Sequence, residues 1–308
     1  MIELEHVSKR YGATTVVEDV SFTVAAGEFC VLIGSSGAGK STTLKMINRL
    51  IPHSAGTIRV GGRDIRELEP AALRRRIGYV IQSIGLFPHW TVARNVAAVP
   101  ELIGWAAARS LARAAALLEQ LKLPPGEFLE KYPHQLSIGQ QQRVGIARAL
   151  AADPDILLMD EPFGALDPIT REVLQAEIAE IQRASRKAVV FVTHDMEEAL
   201  RLASRIVVMD RGRLVQVGTP LELLTAPASA FVRDFVGSDD LGIKLLGVAT
   251  VAERLRSAAS APGEPIAVTA SLRQALSRMV AEGVDRLGVI DGAGKPIGAI
   301  HLADLLRR

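Results

Sequence analysis

Residues 34–41 read Gly34-Ser35-Ser36-Gly37-Ala38-Gly39-Lys40-Ser41, between the apolar run Phe29-Cys30-Val31-Leu32-Ile33 and the helix-like Thr42-Thr43-Leu44-Lys45-Met46-Ile47. The order is strand, glycine-rich loop, helix. The glycines let the backbone turn tightly so that successive N–H groups point at an anion, and the helix behind adds its positive end. Lys40 is placed to reach the β and γ phosphates of a nucleoside triphosphate, and Ser41 to ligate Mg2+. With Ser35, Ser36, Ala38 and Thr42, these residues form a phosphate cradle.

Outward from this loop, strand-like runs at 2–7, 29–33, 77–81, 156–159, 188–192 and 206–209 alternate with helical stretches. Several are apolar throughout, as expected of strands covered on both faces in a mostly parallel α/β sheet. From 83 to 148 the character changes: an Ala/Leu-rich helical stretch at 106–121 precedes Pro124-Pro125-Gly126, and another helix starts near Ser137. A helical subdomain is thus expected between two sheet strands. The nucleotide domain is read as 1–235, a linker as 236–245, and a small appended module as 246–308, broken at Ala261-Pro262-Gly263.

At 308 residues the chain can bury a large core and hold two domains, or one with an appendage. Its 36 Lys and Arg are nearly matched by 34 Asp and Glu, and no long basic block occurs, so no nucleic-acid partner is expected. The local excess Arg74-Arg75-Arg76 reads as a solvated face. The single cysteine, Cys30, rules out an internal disulfide and reads as an inert buried thiol in a reducing compartment. The first residues, Met1-Ile2-Glu3-Leu4-Glu5-His6, lack a basic start followed by an apolar stretch. No apolar run approaches the roughly 20 residues of a membrane span. The expectation is a cytoplasmic chain that meets a membrane only through partners.

Ile156-Leu157-Leu158-Met159-Asp160-Glu161-Pro162 is an apolar strand ending in two adjacent carboxylates. Such a pair calls for a cation or a reaction. Asp160 fits the Mg2+ shell beside Ser41, and Glu161 fits the group that polarises, or takes a proton from, the water attacking the γ phosphate. Capping of the following helix is the plainer alternative for either acid.

Between the loop and this strand lies Gln135-Leu136-Ser137-Ile138-Gly139-Gln140-Gln141-Gln142-Arg143. Here the chain resembles the ATP-binding subunit of an ATP-binding cassette (ABC) transporter, whose signature is Leu-Ser-Gly-Gly-Gln; Ser137, Gly139 and Gln140 match and Ile138 departs. The resemblance implies a P-loop ABC ATPase domain of α/β class, a mixed sheet with an inserted helical subdomain. It implies a homodimer that sandwiches ATP, with Ser137 and Gly139 at a helix start touching the γ phosphate bound by the opposite subunit. Other positions fall in the family's order. Tyr11 matches the aromatic that stacks on adenine, with Val16 beside it, and Gln82 the glutamine that contacts Mg2+ and the attacking water. Asp167 matches the acid that links the two sites across the dimer, and His194 the switch histidine on the γ phosphate. A β-branched Ile138 is expected to crowd the closed dimer.

The stretch 82–92, Tyr132-Pro133-His134-Gln135 and the run from Met159 to Pro168 are similar to subunits of osmoprotectant importers of the glycine betaine, choline and carnitine type. The implied partners are transmembrane permease subunits and, through them, a solute-binding protein, with the ATPase on the cytoplasmic face of the bacterial inner membrane. Ile84, Leu86, Phe87 and Trp90 are read either as the notch for a cytoplasmic helix of the permease or as ordinary subdomain core.

The tail orders a strand at 266–268, a helix opened by the capping pair Ser271 and Gln274, a hairpin around Gly292-Ala293-Gly294 and a closing helix. It resembles one degenerate cystathionine-β-synthase-type (CBS) repeat, a small α+β module. Where that family places a Thr or Ser three residues before an Asp on an adenine-type ligand, this chain has His301 and Asp304. Two rival functions stay open at this stage, a soluble ABC ATPase of translation or repair and a nucleotide-sensing regulator.

Overall fold

In the computed structural model, which describes residues 1–237, 239–256 and 264–305, the chain begins with the antiparallel strands β1 (Ile2–Tyr11) and β2 (Thr14–Val24). β3 (Phe29–Gly34) then leads through the glycine-rich loop into α1 (Lys40–Ile47). β4 (Ala55–Val60), β5 (Arg63–Asp64), α2 (Pro70–Arg75) and β6 (Ile77–Val80) follow. Four helices come next: α3 (Val92–Leu102), α4 (Ala107–Gln120), α5 (Pro125–Phe128) and α6 (Ile138–Leu150). The chain returns to the sheet with β7 (Ile156–Asp160), α7 (Pro168–Ser185), β8 (Ala188–Val192), α8 (Met196–Leu202), β9 (Arg205–Asp210) and β10 (Arg213–Gly218).

Two sheets result, one of six strands in the order β10-β9-β3-β8-β7-β6 and one of four in the order β2-β1-β4-β5. In the larger sheet, β9, β3, β8, β7 and β6 pair in parallel. Every residue of β3, β7 and β8 is buried, which is why these strands read as unbroken apolar runs. Parallel pairing has a further effect: the C-terminal ends of β3, β6, β7, β8 and β9 all open on one edge, where sheets of this class bind ligands. The smaller sheet pairs antiparallel and alternates buried with exposed positions, β2 most clearly. One apolar core fills the space between them, with Ile2, Val24 and Ile58 from the small sheet meeting Leu32, Leu158 and Val190 from the large one around Leu44 of α1. Helices α3 to α6 occupy most of the stretch read as a helical subdomain at 83–148, the last of them running on to Leu150.

By contacts the chain separates into Met1–Val217 and Gly218–Arg308. That division falls before the 235 read from sequence, because α9 (Pro220–Thr225) packs with α10 (Ala230–Val236) and with α11 (Leu241–Val248). α11 begins inside the stretch read as a linker. Beyond it lie β11 (Ile266–Ala267), α12 (Leu272–Glu282), β12 (Arg286–Ile290), β13 (Pro296–His301) and α13 (Leu302–Leu305). The three strands form a sheet in the order β11-β12-β13, with their own core of Val251, Ile266, Leu272, Met279, Leu287 and Ile300. Ser271 and Gln274 make the reciprocal cap of α12. The Asp304 carboxylate is taken up internally, paired with Arg256 and accepting the His301 N–H at 3.2 Å. The break at Ala261-Pro262-Gly263 lies outside the described residues. No helix among the described residues is long and apolar enough to cross a membrane.

Candidate nucleotide site

The loop after β3 is shaped by what glycine permits. At Gly34 a Cβ would stand 1.9 Å from the Met209 carbonyl oxygen, so strands β3 and β9 approach only because no side chain intervenes. Gly39 caps α1 with φ of +91°, a left-handed conformation, and its Cα side faces the Val16 carbonyl, 2.7 Å from where a Cβ would be. This places Val16 against the loop. Ser35 Oγ donates to Asp210 Oδ1 at 2.9 Å, tying the loop to the end of β9, while Ser36 and Gly37 are exposed at its tip. Ala38 is buried beneath it and Thr42 half-buried on α1.

Lys40 Nζ curls over the loop and donates to the Gly34 and Ser35 carbonyls, each at 2.9 Å. Burial pulls its pKa down, opposed by the negative charges of Glu161 and Asp160. Ser41 Oγ donates to Asp160 Oδ1 at 2.7 Å, across 119 residues of sequence. Asp160 is 3% exposed, and burial is the largest influence on it, raising its carboxyl pKa above the usual range. The next residue, Glu161, has φ of +45°, in the left-handed region that non-glycine residues seldom adopt. Its N–H donates to the Val192 carbonyl at 3.0 Å, which fixes this turn against β8. The turn carries the carboxylate off the strand direction, to where Glu161 Oε2 accepts from Gln82 Nε2 at 3.2 Å and lies 3.4 Å from His194 Nδ1. Gln82 follows β6 and His194 follows β8, so four strand ends deliver this cluster.

A second group stands apart. Ser137 is the N-cap of α6: its Oγ accepts the Gln140 N–H at 3.2 Å and its N–H donates to Gln140 Oε1 at 2.9 Å. Asp167 caps α7 by accepting the Thr170 N–H at 3.0 Å, and hydrogen bonds from the Thr170 side chain and then its backbone hold the carboxyl below the usual range. Ser137, Ile138, Gly139, Gln140, Asp167 and Thr170 line a cavity of about 540 Å3. None of residues 34–42 lines it. Ile138 presents half its surface there, at 53% exposure. Tyr11 is likewise exposed at the end of β1, with the Lys9 ammonium 4.6 Å from its ring centre. Of the notch residues, Phe87 is exposed and Ile84, Leu86 and Trp90 are half-buried, so none is fully enclosed core.

Sequence reasoning passed over Asp210, whose carboxylate anchors Ser35, and Arg171. The latter donates from Nη2 to the Leu166 carbonyl at 3.2 Å, and its Nη1 lies 3.5 Å from Asp195 Oδ2, so it links the segments before Asp167 and after His194. A carbonyl partner leaves no mark on residue type. No group of three or more His, Cys, Asp or Glu suited to a metal occurs among the described residues, so any Mg2+ here would rely on mixed oxygen donors and phosphate.

A phosphate loop at a parallel sheet edge, with an acidic strand end beside it and a helical insertion whose last helix starts at the Ser137 cap beside a cavity, defines an ATP-binding cassette. The chain belongs to the ABC transporter ATP-binding family. A family model described as ABC transporter matches residues 17–164, and one described as CBS domain matches 264–308. The glycine betaine uptake system ATP-binding protein YehX of Escherichia coli (strain K12) is 55% identical, over 99% of each chain. The glycine betaine/carnitine/choline transport ATP-binding protein OpuCA of Bacillus subtilis (strain 168) is 48% identical, over 94% of this chain and 76% of its own. Among solved structures, the dimeric post-hydrolysis state of the ATP-binding cassette MJ0796 bound to ADP and Pi superposes with a TM-score of 0.66. That structure is 33% identical and covers 71% of this chain and 99% of its own. The fold is therefore an ABC ATPase with a C-terminal CBS domain, and the protein is an ATPase.

Proposed function

We propose that this chain is the ATP-hydrolysing subunit of an importer for a quaternary-amine osmoprotectant such as glycine betaine or choline, working as a homodimer beneath transmembrane permease subunits. A solute-binding protein would deliver the solute to those subunits, on the far side of the bacterial inner membrane from the ATPase. The observation that carries the hydrolytic reading is the Glu161 carboxylate, held between Gln82 and His194 beside the phosphate loop. The solute class is supported by relatives named for glycine betaine, carnitine and choline, matched over 94% or more of this chain.

In this reading the backbone N–H groups of 35–41 and the Lys40 ammonium bind the β and γ phosphates, and Tyr11 with Val16 supports the adenine. Glu161 accepts a proton from the attacking water as the water oxygen bonds the γ phosphorus and ADP leaves, with Gln82 and His194 fixing the carboxylate and the water. Ser41, Asp160 and Gln82 suit Mg2+: they offer hard oxygen donors, and the raised pKa of buried Asp160 marks a carboxylate whose charge its neighbours do not fully offset. When bound, Mg2+ neutralises charge on the phosphates. Ser137, Gly139, Gln140 and Asp167 face a cavity separate from the phosphate loop, as a half-site serving the nucleotide of a second copy requires.

The test is reconstitution in proteoliposomes with a hydrophobic permease and a betaine-type binding protein. ATP turnover that rises when glycine betaine or choline is supplied to the binding protein supports the reading. A stable complex with ribosomes or DNA, and no permease association, refutes it.

A further inference from the structure

The loop that follows Gln82 is gripped from another element. Arg148, in the last turn of α6, donates from Nη1 to the Gly85 carbonyl at 2.8 Å and from Nη2 to the Ile84 carbonyl at 3.3 Å. Ile84 and Gly85 both have φ of +62°. For a β-branched residue that conformation is unfavourable in isolation and persists only where the surroundings impose it. A guanidinium fork spans two neighbouring carbonyls; a lysine ammonium is a single point and does not. Burial pulls the Arg148 pKa below the ordinary arginine value. Two residues beyond Gly85, Phe87 donates its N–H to buried Asn95 Oδ1 at 2.8 Å and its carbonyl accepts from Asn95 Nδ2 at 3.1 Å, so the loop is pinned on both sides of Leu86.

The same helix starts at the Ser137 cap. From Ser137 to Arg148 is roughly 16 Å of α-helix. One rigid element therefore carries the signature serine at one end and the grip on the Gln82 loop at the other.

We infer that Arg148 is a positioning residue for hydrolysis: by clamping the Ile84 and Gly85 carbonyls it holds Gln82 against Glu161 and ties that placement, through α6, to Ser137. The inference rests on the roles proposed above for Gln82 and Glu161.

The test uses the full-length chain with Arg148→Met, Arg148→Lys, Gln82→Ala and the Arg148→Met/Gln82→Ala double variant. Steady-state ATPase gives kcat and KM, and calorimetric titration gives ATP affinity. Arg148→Met is expected to lower kcat by about tenfold or more while ATP affinity stays within about twofold, because a misplaced group costs rate more than binding. Arg148→Lys, which keeps the charge and stem, should fold and recover part of the rate. In the Gln82→Ala background, Arg148→Met should cost less than about twofold further, since residues acting through one another are not additive. An unchanged kcat in Arg148→Met, the same loss in both backgrounds, or a loss of ATP binding matching the loss of rate overturns the inference. Should Arg148→Met not fold, a wild-type kcat in Arg148→Lys overturns it. A Gln82→Ala variant with wild-type kcat overturns the role of Gln82 itself, and the inference with it; a reduced Gln82→Ala with additive Arg148→Met sinks the inference alone.

Discussion

Gln82 Nε2 donates to Glu161 Oε2 at 3.2 Å, joining residues 79 positions apart that follow neighbouring parallel strands. The same carboxylate oxygen lies 3.4 Å from His194 Nδ1, beyond the next strand over. Three adjacent strand ends thus converge on one oxygen, and His194 is 66% exposed where it does so. Replacing His194 by Ala removes a polar contact to Glu161 and leaves the phosphate loop intact. Expected is a fall in kcat on the order of 10- to 100-fold with little change in ATP affinity. Stopped-time phosphate release and calorimetric binding measure the two separately, and equal losses in both contradict the assigned role.

Asp160 makes stability depend on pH in a determined direction. Burial raises its carboxyl pKa above the ordinary 3.8 against the opposing bond from Ser41, so the folded state holds that proton more tightly than the unfolded chain. Stability from this group is then present at acid pH and lost as pH rises through the folded pKa. Asp160→Asn should stabilise the nucleotide-free protein at pH 7 by about 1 kcal/mol, a gain of the kind released when a functional site is neutralised. The gain should shrink as pH falls toward the carboxylate range, while Mg2+-dependent hydrolysis is lost. Urea titrations at several pH values check this, and a gain that does not vary with pH contradicts it.

Gly34 is where β3 and β9 come closest. A Cβ 1.9 Å from the Met209 carbonyl cannot be relieved by rotating a side chain, because the obstacle is backbone. Gly34→Ala should cost about 3 kcal/mol or more, read as a lowered denaturation midpoint; unchanged stability would mean the two strands separate without penalty.

Much of this was legible because buried parallel strands announce themselves. β3, β7 and β8 are apolar at every or nearly every position, and the residues that follow them, the glycine-rich loop, Glu161 and His194, could be picked out by type. β2, β4 and β10 carry no such mark: most of their residues face solvent wholly or partly, and the resulting mixture resembles loop. The contacts that organise the site were hidden for another reason. Arg148 and Arg171 hold carbonyl oxygens, Val16 meets Gly39 through its backbone, and Asp210 reaches Ser35 from 175 residues away. None of these depends on a spacing. The tail pair of His301 and Asp304 was legible as a departure from the CBS pattern, but that Arg256 pairs with the Asp304 carboxylate required the fold.

Arg143 and Glu177 form a buried pair at 2.6 Å between α6 and α7, with side chains 11% and 9% exposed. Arg143 also donates to the Leu121 carbonyl at 2.6 Å. Glu177→Ala strands a buried cation and should destabilise the cassette by about 3 kcal/mol, with Glu177→Gln milder. Chemical denaturation of both variants checks the order, and an equal or reversed effect contradicts it.

If Glu161 is the base of a site completed by a second copy of the chain, Glu161→Gln should bind ATP, dimerise and fail to turn over. Light scattering with and without ATP, alongside steady-state turnover, should give a mass that doubles on adding ATP while turnover falls by roughly 100-fold or more. A monomer at saturating ATP, or turnover equal to wild type, would contradict it.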